Sequence, residues 1–432
     1  GPVRDQRAGP SHTPPIGNTG DAFICKMNDG QHSGTVAATV VLTLERLGTT
    51  APSAVRLLEI CALCSPDSLP LKQFLTALQH LDDPLLGDLD AIQRLEIFGS
   101  LRQSGLLMLD SDDQIRLHRL TKVVIEARTA DRGQRVADVV ALLSALFPQT
   151  PSEPATWPTC AQLVSHAASI FAHARVEGLE NVPLASLLTR VGRYLLCSGL
   201  SYADAADLHE RALTMRRNLH EGDHPEVARG LVHLAVDLNE LGDPGRAREL
   251  HEQALEMRRR LYSGDHPDIA HSLDNLGNVL HILGRCDLAR QHHEQGLHMR
   301  QRLHGGDHPN VAYSLSNLAG DLHQLGDLKR ARELNELALV MRQRLDPGDH
   351  PDIAHSFRNL ASDLRALGEF QDARRLDTQA LAMQQRLYPG DHPNTLRSLQ
   401  SLAEDCRALG QQEQAAGFEL DADKMQARLA VR

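Results

Sequence analysis

Histidine is the side chain that most invites a chemical reading of this sequence. There are 23, and His292, His293, His298, His304 and His308 crowd into one short stretch. Imidazoles at such density could hold a divalent metal if several rings converged on one point. Their spacing argues otherwise, because His292 and His293 are helical neighbours and point in different directions. His308 belongs to a Gly-Asp-His-Pro tetrapeptide that occurs five times, so the histidines of that motif lie a whole repeat apart. Cys61 and Cys64 form a lone Cys-x-x-Cys within LLEICALCS, whose apolar character is that of a buried helix. No second cysteine pair or nearby histidine completes a metal set. No Gly-x-Ser-x-Gly turn exposes a nucleophile. No Gly-Lys dipeptide occurs, so no P-loop can cradle a triphosphate. The expectation is a chain that is not an enzyme, with no metal and no cofactor of its own.

The tetrapeptide says more about architecture than about chemistry. Its copies at 222–225, 264–267, 306–309, 348–351 and 390–393 keep a constant spacing of 42 residues. Glycine can end one helix in the left-handed conformation, and proline can open the next where no N–H is needed. A second stop, Leu-Gly, falls midway through each unit, at 241–242, 283–284, 325–326, 367–368 and 409–410. Each unit therefore reads as two helices joined by a tight turn. Leu231, Leu234, Ala235 and Leu238 in one first helix, and Ala331, Leu334, Ala338 and Leu339 in one second helix, repeat with helical periodicity. A single hairpin cannot bury such a stripe, so the units must stack. A degenerate copy at 184–220 brings the number to six, and the polar second helix at the C-terminal end suits a cap.

Stacking aligns equivalent residues of the first helices into columns. One column reads His233, Asn275, Asn317, Asn359, Ser401; four residues earlier come Arg229, His271, Tyr313, His355, Arg397; three residues after the Asn column come Val236, Asn278, Gly320, Ser362, Glu404. An Asn amide offers a donor and an acceptor together, which suits a peptide backbone whatever its side chains. With Arg358 added, the first two columns carry donors and few carboxylates. They therefore predict a protein or peptide ligand that is acidic or ends in a free carboxylate.

The remaining sequence divides into three parts. Residues 1–34, rich in Gly, Pro, Asn and Ser, are expected to be disordered, and Gly1-Pro2 resembles a scar of tag removal. Residues 35–130 are helical until LLMLDSDDQIRLHRL, where the acidic SDD between two apolar runs reads as the turn of a hairpin, the wing of a winged helix. Residues 131–183 suggest a helical connector, and 184–432 the stacked hairpins. The formal net charge of −11 argues against a nucleic-acid partner, as do the 8 Lys/Arg against 11 Asp/Glu within 51–128. No run is long and apolar enough for a membrane span or a signal peptide, so a cytoplasmic protein without membrane contact is expected. Seven cysteines without regular spacing suit reduced thiols.

Two resemblances follow from these motifs. Residues 184–432, with HPxxAxSLxNLAxxL followed by LGxxxxAxxL, resemble the 42-residue tetratricopeptide (TPR) class typified by kinesin light chains. That likeness implies an all-α fold, a right-handed TPR superhelix of about six hairpins whose inner wall of first helices captures a peptide. Residues 35–128 resemble the end of the nucleotide-binding module of NB-ARC/STAND ATPases: ATVVLTLERL their helical-domain motif, LLEICALCSPDSLPLKQF the opening of their winged helix, IRLHRLTKVVIEA their Met-His-Asp segment. The resemblance implies that His118 senses the β-phosphate of ADP, and ADP or ATP enters only if an upstream domain supplies the P-loop. Arg119 stands where that family has its Asp. The leading expectation is thus a non-catalytic sensor-scaffold portion of a STAND-type bacterial signalling protein. A free-standing TPR adaptor and a winged-helix transcriptional regulator are the alternatives.

Overall fold

The computed structural model describes residues 31–109 and 114–430. The expectations for residues 1–30, and for the SDD turn at 111–113, lie outside the described residues. Gln31–Gly34, read as disordered, belong to the first described helix. The chain divides into two compact units, 1–148 with 158–179, and 149–157 with 180–432. None of the described helices is long and apolar enough to cross a membrane.

The first unit is built on α2 (Pro52–Leu63), in which Leu57, Leu58, Ile60, Cys61, Ala62 and Leu63 are all buried. Only the stripe of Ser53, Arg56 and Glu59 is polar, so the rest of the helix must be covered. Helices α1 (Gln31–Thr50), α3 (Leu71–Ala77), α4 (Ala91–Gln103) and α5 (Arg119–Arg128) surround a small antiparallel sheet and this helix. The sheet has the order β1 (Leu69–Pro70), β3 (Gln114–Leu117), β2 (Leu107–Leu109), with Leu107 opposite Leu117 and Leu69 opposite Ile115. A capping box starts α4, where Asp90 accepts from the Gln93 N–H and the Gln93 side chain accepts from the Asp90 N–H. The stretch expected as a connector packs mainly into this unit. From α6 (Arg132–Leu146), Arg135 reaches the buried Asp83 at 2.7 Å; from α7 (Trp157–Val176), Ser169 donates to the Leu63 carbonyl at 3.0 Å. Burial decides this, because both helices carry apolar stripes that a solvated linker would leave wet.

The second unit is six antiparallel hairpins in tandem, a TPR superhelix: α8 (Val182–Cys197) with α9 (Tyr202–Leu219), α10 (Pro225–Glu240) with α11 (Pro244–Leu261), α12 (Pro267–Ile282) with α13 (Cys286–His304), α14 (Pro309–Gln324) with α15 (Leu328–Leu345), α16 (Pro351–Ala366) with α17 (Phe370–Leu387), and α18 (Pro393–Ala408) with α19 (Gln412–Leu429). Every Leu-Gly stop has its glycine at positive φ, from 70° at Gly284 to 84° at Gly326. The tetrapeptide glycine is less uniform, being left-handed at Gly222, Gly264 and Gly390 but replaced in that role by Gly305 in the third copy.

The histidine and aspartate of the tetrapeptide are structural. His224, His266, His308, His350 and His392 each cap a first helix, with Nδ1 accepting from the N–H two residues on at 3.1–3.2 Å. Four of these rings stack on the ring four residues earlier, at 3.5–3.8 Å between centroids. The aspartates clamp the second helix of the same hairpin through an arginine 37 residues later, as in Asp223–Arg260, Asp265–Arg302, Asp349–Arg386 and Asp391–Arg428.

Successive hairpins are joined by a buried carboxylate. Asp321 on α14 accepts from His281 of the preceding first helix at 2.7 Å and from His293 of the preceding second helix at 2.5 Å. Asp363 on α16 accepts likewise from His323 and Asn335, both at 2.7 Å. Asp405 on α18 takes Arg365 at 2.7 Å, and Asp237 on α10 takes His209 at 2.5 Å. One junction lacks the carboxylate: Val279 occupies that place on α12, and Nδ1 of the buried His251 and Oδ1 of Asn239 are left without partners. Restoring the acid should therefore help. Val279→Asp is expected to leave the denaturation midpoint unchanged or raised. With His251→Leu added, the same Asp should cost stability, with a coupling of about 1.5 kcal/mol between the two sites. A loss of about 3 kcal/mol from Val279→Asp alone, as for any unpaired buried charge, would refute this reading.

Candidate functional site

The three sequence columns come together on the first helices α10, α12, α14, α16 and α18. Arg229, His271, Tyr313, His355 and Arg397 are all exposed, and His233, Asn275, Asn317, Asn359 and Ser401 are half-buried beside them. The strip is continuous from hairpin to hairpin, since Nδ2 of Asn278 donates to the Tyr313 hydroxyl at 3.1 Å. Within one helix Asn275 meets the His271 ring at 3.4 Å. Nδ2 of Asn317 is buried with no hydrogen-bond partner, and so is Nε of Arg358. A native buried donor left unpaired calls for an explanation, and an unfilled ligand position is one.

The histidines of the columns share one electrostatic feature: each has its pKa shifted down. Burial pushes His271 down to about 4, with Arg258 and Arg300 adding to the effect. His355 is lowered by burial and then by Arg358 and Arg342. His233, stacked on His209 at 5.2 Å, is held well below the ordinary histidine range by burial first and by His209 second. The positive charge comes instead from a row of buried arginines, Arg216, Arg258, Arg300 and Arg342, which reach from each second helix beneath the next first helix. Arg258 donates to Ser272 at 2.7 Å and to the Asp268 carbonyl at 2.8 Å; Arg342 donates to Ser356, and to Ser316 at 3.1 Å. Arg300 pairs with Asp274 and lies 6.0 Å from the Tyr313 ring centroid. Each of the four follows the methionine of its second helix, in A-L-x-M-R for Arg216, Arg258 and Arg342 and in G-L-x-M-R for Arg300.

The other chemistry-bearing residues have local roles. His293 is buried on Asp321, and His304 stacks on His308, itself a helix cap. Cys61 and Cys64 are buried, and burial pushes both thiols up, Cys64 to about 12. His118 is exposed and caps α5, its Nδ1 accepting from the Leu120 N–H at 3.2 Å.

The tetratricopeptide repeat profile matches residues 183–260, 227–301, 268–344 and 347–422, together more than half of the chain. Among solved structures, the kinesin-light-chain TPR-like repeats of Podosopora anserina are 26% identical, over 48% of this chain and 99% of that one, with a TM-score of 0.43. The apo quorum sensor NprR of B. thuringiensis is 14% identical over 83% of this chain and 97% of its own, with a TM-score of 0.52. A STAND protein with a tetratricopeptide repeat sensor from Pyrococcus horikoshii is 13% identical over 88% of this chain and 64% of its own, with a TM-score of 0.39. No curated protein matches the chain.

At the C-terminal end of the wall the junction changes character. Arg365 bridges two buried acids, Asp377 at 2.5 Å and Asp405 at 2.7 Å. Burial drives the Asp377 carboxyl up to about 7; Arg365 opposes that and Asp405 reinforces it. A carboxyl raised above its unfolded value favours the folded state when protonated, so this stabilisation is lost as pH climbs from about 4 through 7. One hairpin earlier, Asn335 fills the same position without charge. Asp377→Asn should therefore raise stability at roughly pH 8 by about 1 kcal/mol or more, with the gain vanishing toward roughly pH 4. Urea midpoints across that range would show it; a gain independent of pH, or a loss at high pH, would contradict the assignment.

Proposed function

The chain belongs to the tetratricopeptide repeat family, and from that premise we propose that its first-helix wall captures an extended segment of a protein or peptide. The buried, unpartnered Asn317 amide carries this reading, because a ligand carbonyl would complete it. Asn275 and Asn359 repeat the same group one hairpin to either side, at a stride suited to a segment lying along the wall. The protein works on this reading as a scaffold or sensor and not as a catalyst.

The acid preference belongs to the arginine row. Arg258 and Arg342 hydrogen-bond to neutral acceptors, with the Asp268 and Asp352 carboxylates near them, and Arg358 and Arg397 add positive charge to the wall above. A carboxylate, from an acidic side chain or a free C-terminus, would be drawn to that field. The lower row of buried aspartates is largely spent on its own histidines and arginines.

A role for the first unit is a further part of the proposal. Its sequence likeness to the STAND winged helix, the β2–β3 hairpin and the exposed position of His118 support a relay that passes occupancy of the wall to a nucleotide-binding module. ADP or ATP would then be bound by that module, with His118 facing the β-phosphate. A Gly-Lys-Ser/Thr P-loop encoded just upstream in the same reading frame is the expected finding; a start codon there with none would leave the adaptor reading.

Capture is tested directly by panning random peptides displayed with free C-termini against the full chain. The wild type should enrich a consensus with a carboxylate. The Asn275→Ala/Asn317→Ala/Asn359→Ala variant should retain it at least about tenfold less, since two or more lost hydrogen bonds of about 1 kcal/mol each suffice. Equal retention by a folded triple variant would sink the assignment.

A further inference from the structure

One stretch of the wall is hollow. A cavity of about 200 Å³ opens between α14 and α16, enough for several waters at about 30 Å³ each or for an aminoalkyl chain. Gly320 lines it, in mid-helix, where the other hairpins place Val236, Asn278, Ser362 and Glu404. A Cβ on Gly320 would meet nothing within 4 Å. Packing therefore does not require the glycine, although it costs a helix interior about 1 kcal/mol relative to alanine. Gly277 shows the contrast, for there a Cβ would collide with the His293 ring. The missing side chain at 320 leaves room and achieves nothing else visible in the fold.

The lining has a definite polarity. His281 and His323 both contribute, and each directs Nδ1 to a buried carboxylate at 2.7 Å, Asp321 and Asp363 respectively. An ionised carboxylate only accepts, so Nδ1 of each ring is the donor in these two contacts. Asn335, only 3% exposed, donates Nδ2 to Asp363 at 2.7 Å, and its Oδ1 has no partner. The Ser316 and Ser362 hydroxyls and the Gln324 and Asn359 amides, which can each turn an oxygen inward, complete the set, and no lysine or arginine lines the cavity. Arg342 reaches the rim at Ser316 but is held there by Ser316 and Ser356. The unpartnered Asn335 oxygen, the two buried acids Asp321 and Asp363 and a lining without lysine or arginine disfavour an anion and suit a cation with several N–H donors. Among the described residues no three metal-ligating side chains converge, which sets a bare metal ion aside.

The geometry points to a primary ammonium as the occupant of this notch, supplied by a lysine side chain or by the free amino terminus of the captured peptide. This rests on the capture reading and adds a subsite of the opposite preference to the arginine row. Together the two select a segment that carries an acid and an amine a short distance apart.

The test uses three pools of short random peptides against the full chain: free amino terminus without lysine or arginine, acetylated amino terminus with lysine, and acetylated without either base. The wild type should retain one or both of the first two pools at least about tenfold better than the third, and whichever pool dominates identifies the source of the amine. Gly320→Leu fills the notch with a residue that favours helix, so it should keep the fold. It should reduce the first two pools to the level of the third. The notch assignment is overturned if the wild type holds all three pools equally, or if Gly320→Leu preserves the amine preference. In both cases capture itself survives. Retention of no pool at all would remove the capture reading together with the notch.

Discussion

A carboxylate buried between one hairpin and the next is the contact on which the solenoid's geometry depends. The leucine and alanine stripes make stacking favourable, yet apolar faces slide, and burial alone does not fix the rotation of one hairpin on its neighbour. Asp237, Asp321, Asp363 and Asp405 remove that freedom. Each is costly to bury unless its partners arrive at hydrogen-bond distance, so only one register satisfies it. At Asp321 and Asp363 the partners come from both helices of the preceding hairpin, which ties three helices at one point. The exchange of His281 for His323 and then Arg365, and of His293 for Asn335, shows that the requirement is a donor beside the acid and not a particular residue.

The same registration gives the wall its electrical pattern. Arginines from the second helices lie under one edge of the first helices and aspartates under the other. Because both rows are buried, neither is well screened, and their fields reach the half-buried strip between them. The histidines of the strip respond to the nearer row: His271 and His355, above the arginines, are held neutral, while His281 and His323 are oriented by the acids. A surface built mostly of asparagine, histidine and serine thus acquires an arginine-backed edge and a hollow flanked by buried acids.

The first unit follows a different rule. Its largely apolar α2 demands cover on every face but the one carrying Arg56 and Glu59, and α6 and α7 supply part of it. Their own sequence shows amphipathic helices flanking a proline-rich stretch, a pattern equally suited to a spacer. Which it would be depended on whether Asp83 and the Leu63 carbonyl needed partners that only these helices could bring.

The number of hairpins, their boundaries and the strip of residues on the first helices were settled by local signals: a tetrapeptide at constant stride, a Leu-Gly stop, and a periodicity of 3.6. Those depend on near neighbours in the chain, and near neighbours are what a sequence displays. The tertiary structure alone decided which histidines are partners of buried carboxylates, since that turns on groups 28 and 40 residues away. It also decided that the arginine after Met carries the wall's charge, and that Gly320 marks a hollow where Gly277 marks a crowded contact. Burial and electrostatic neighbourhood are properties of stacked helices, and a single helix read in isolation has neither.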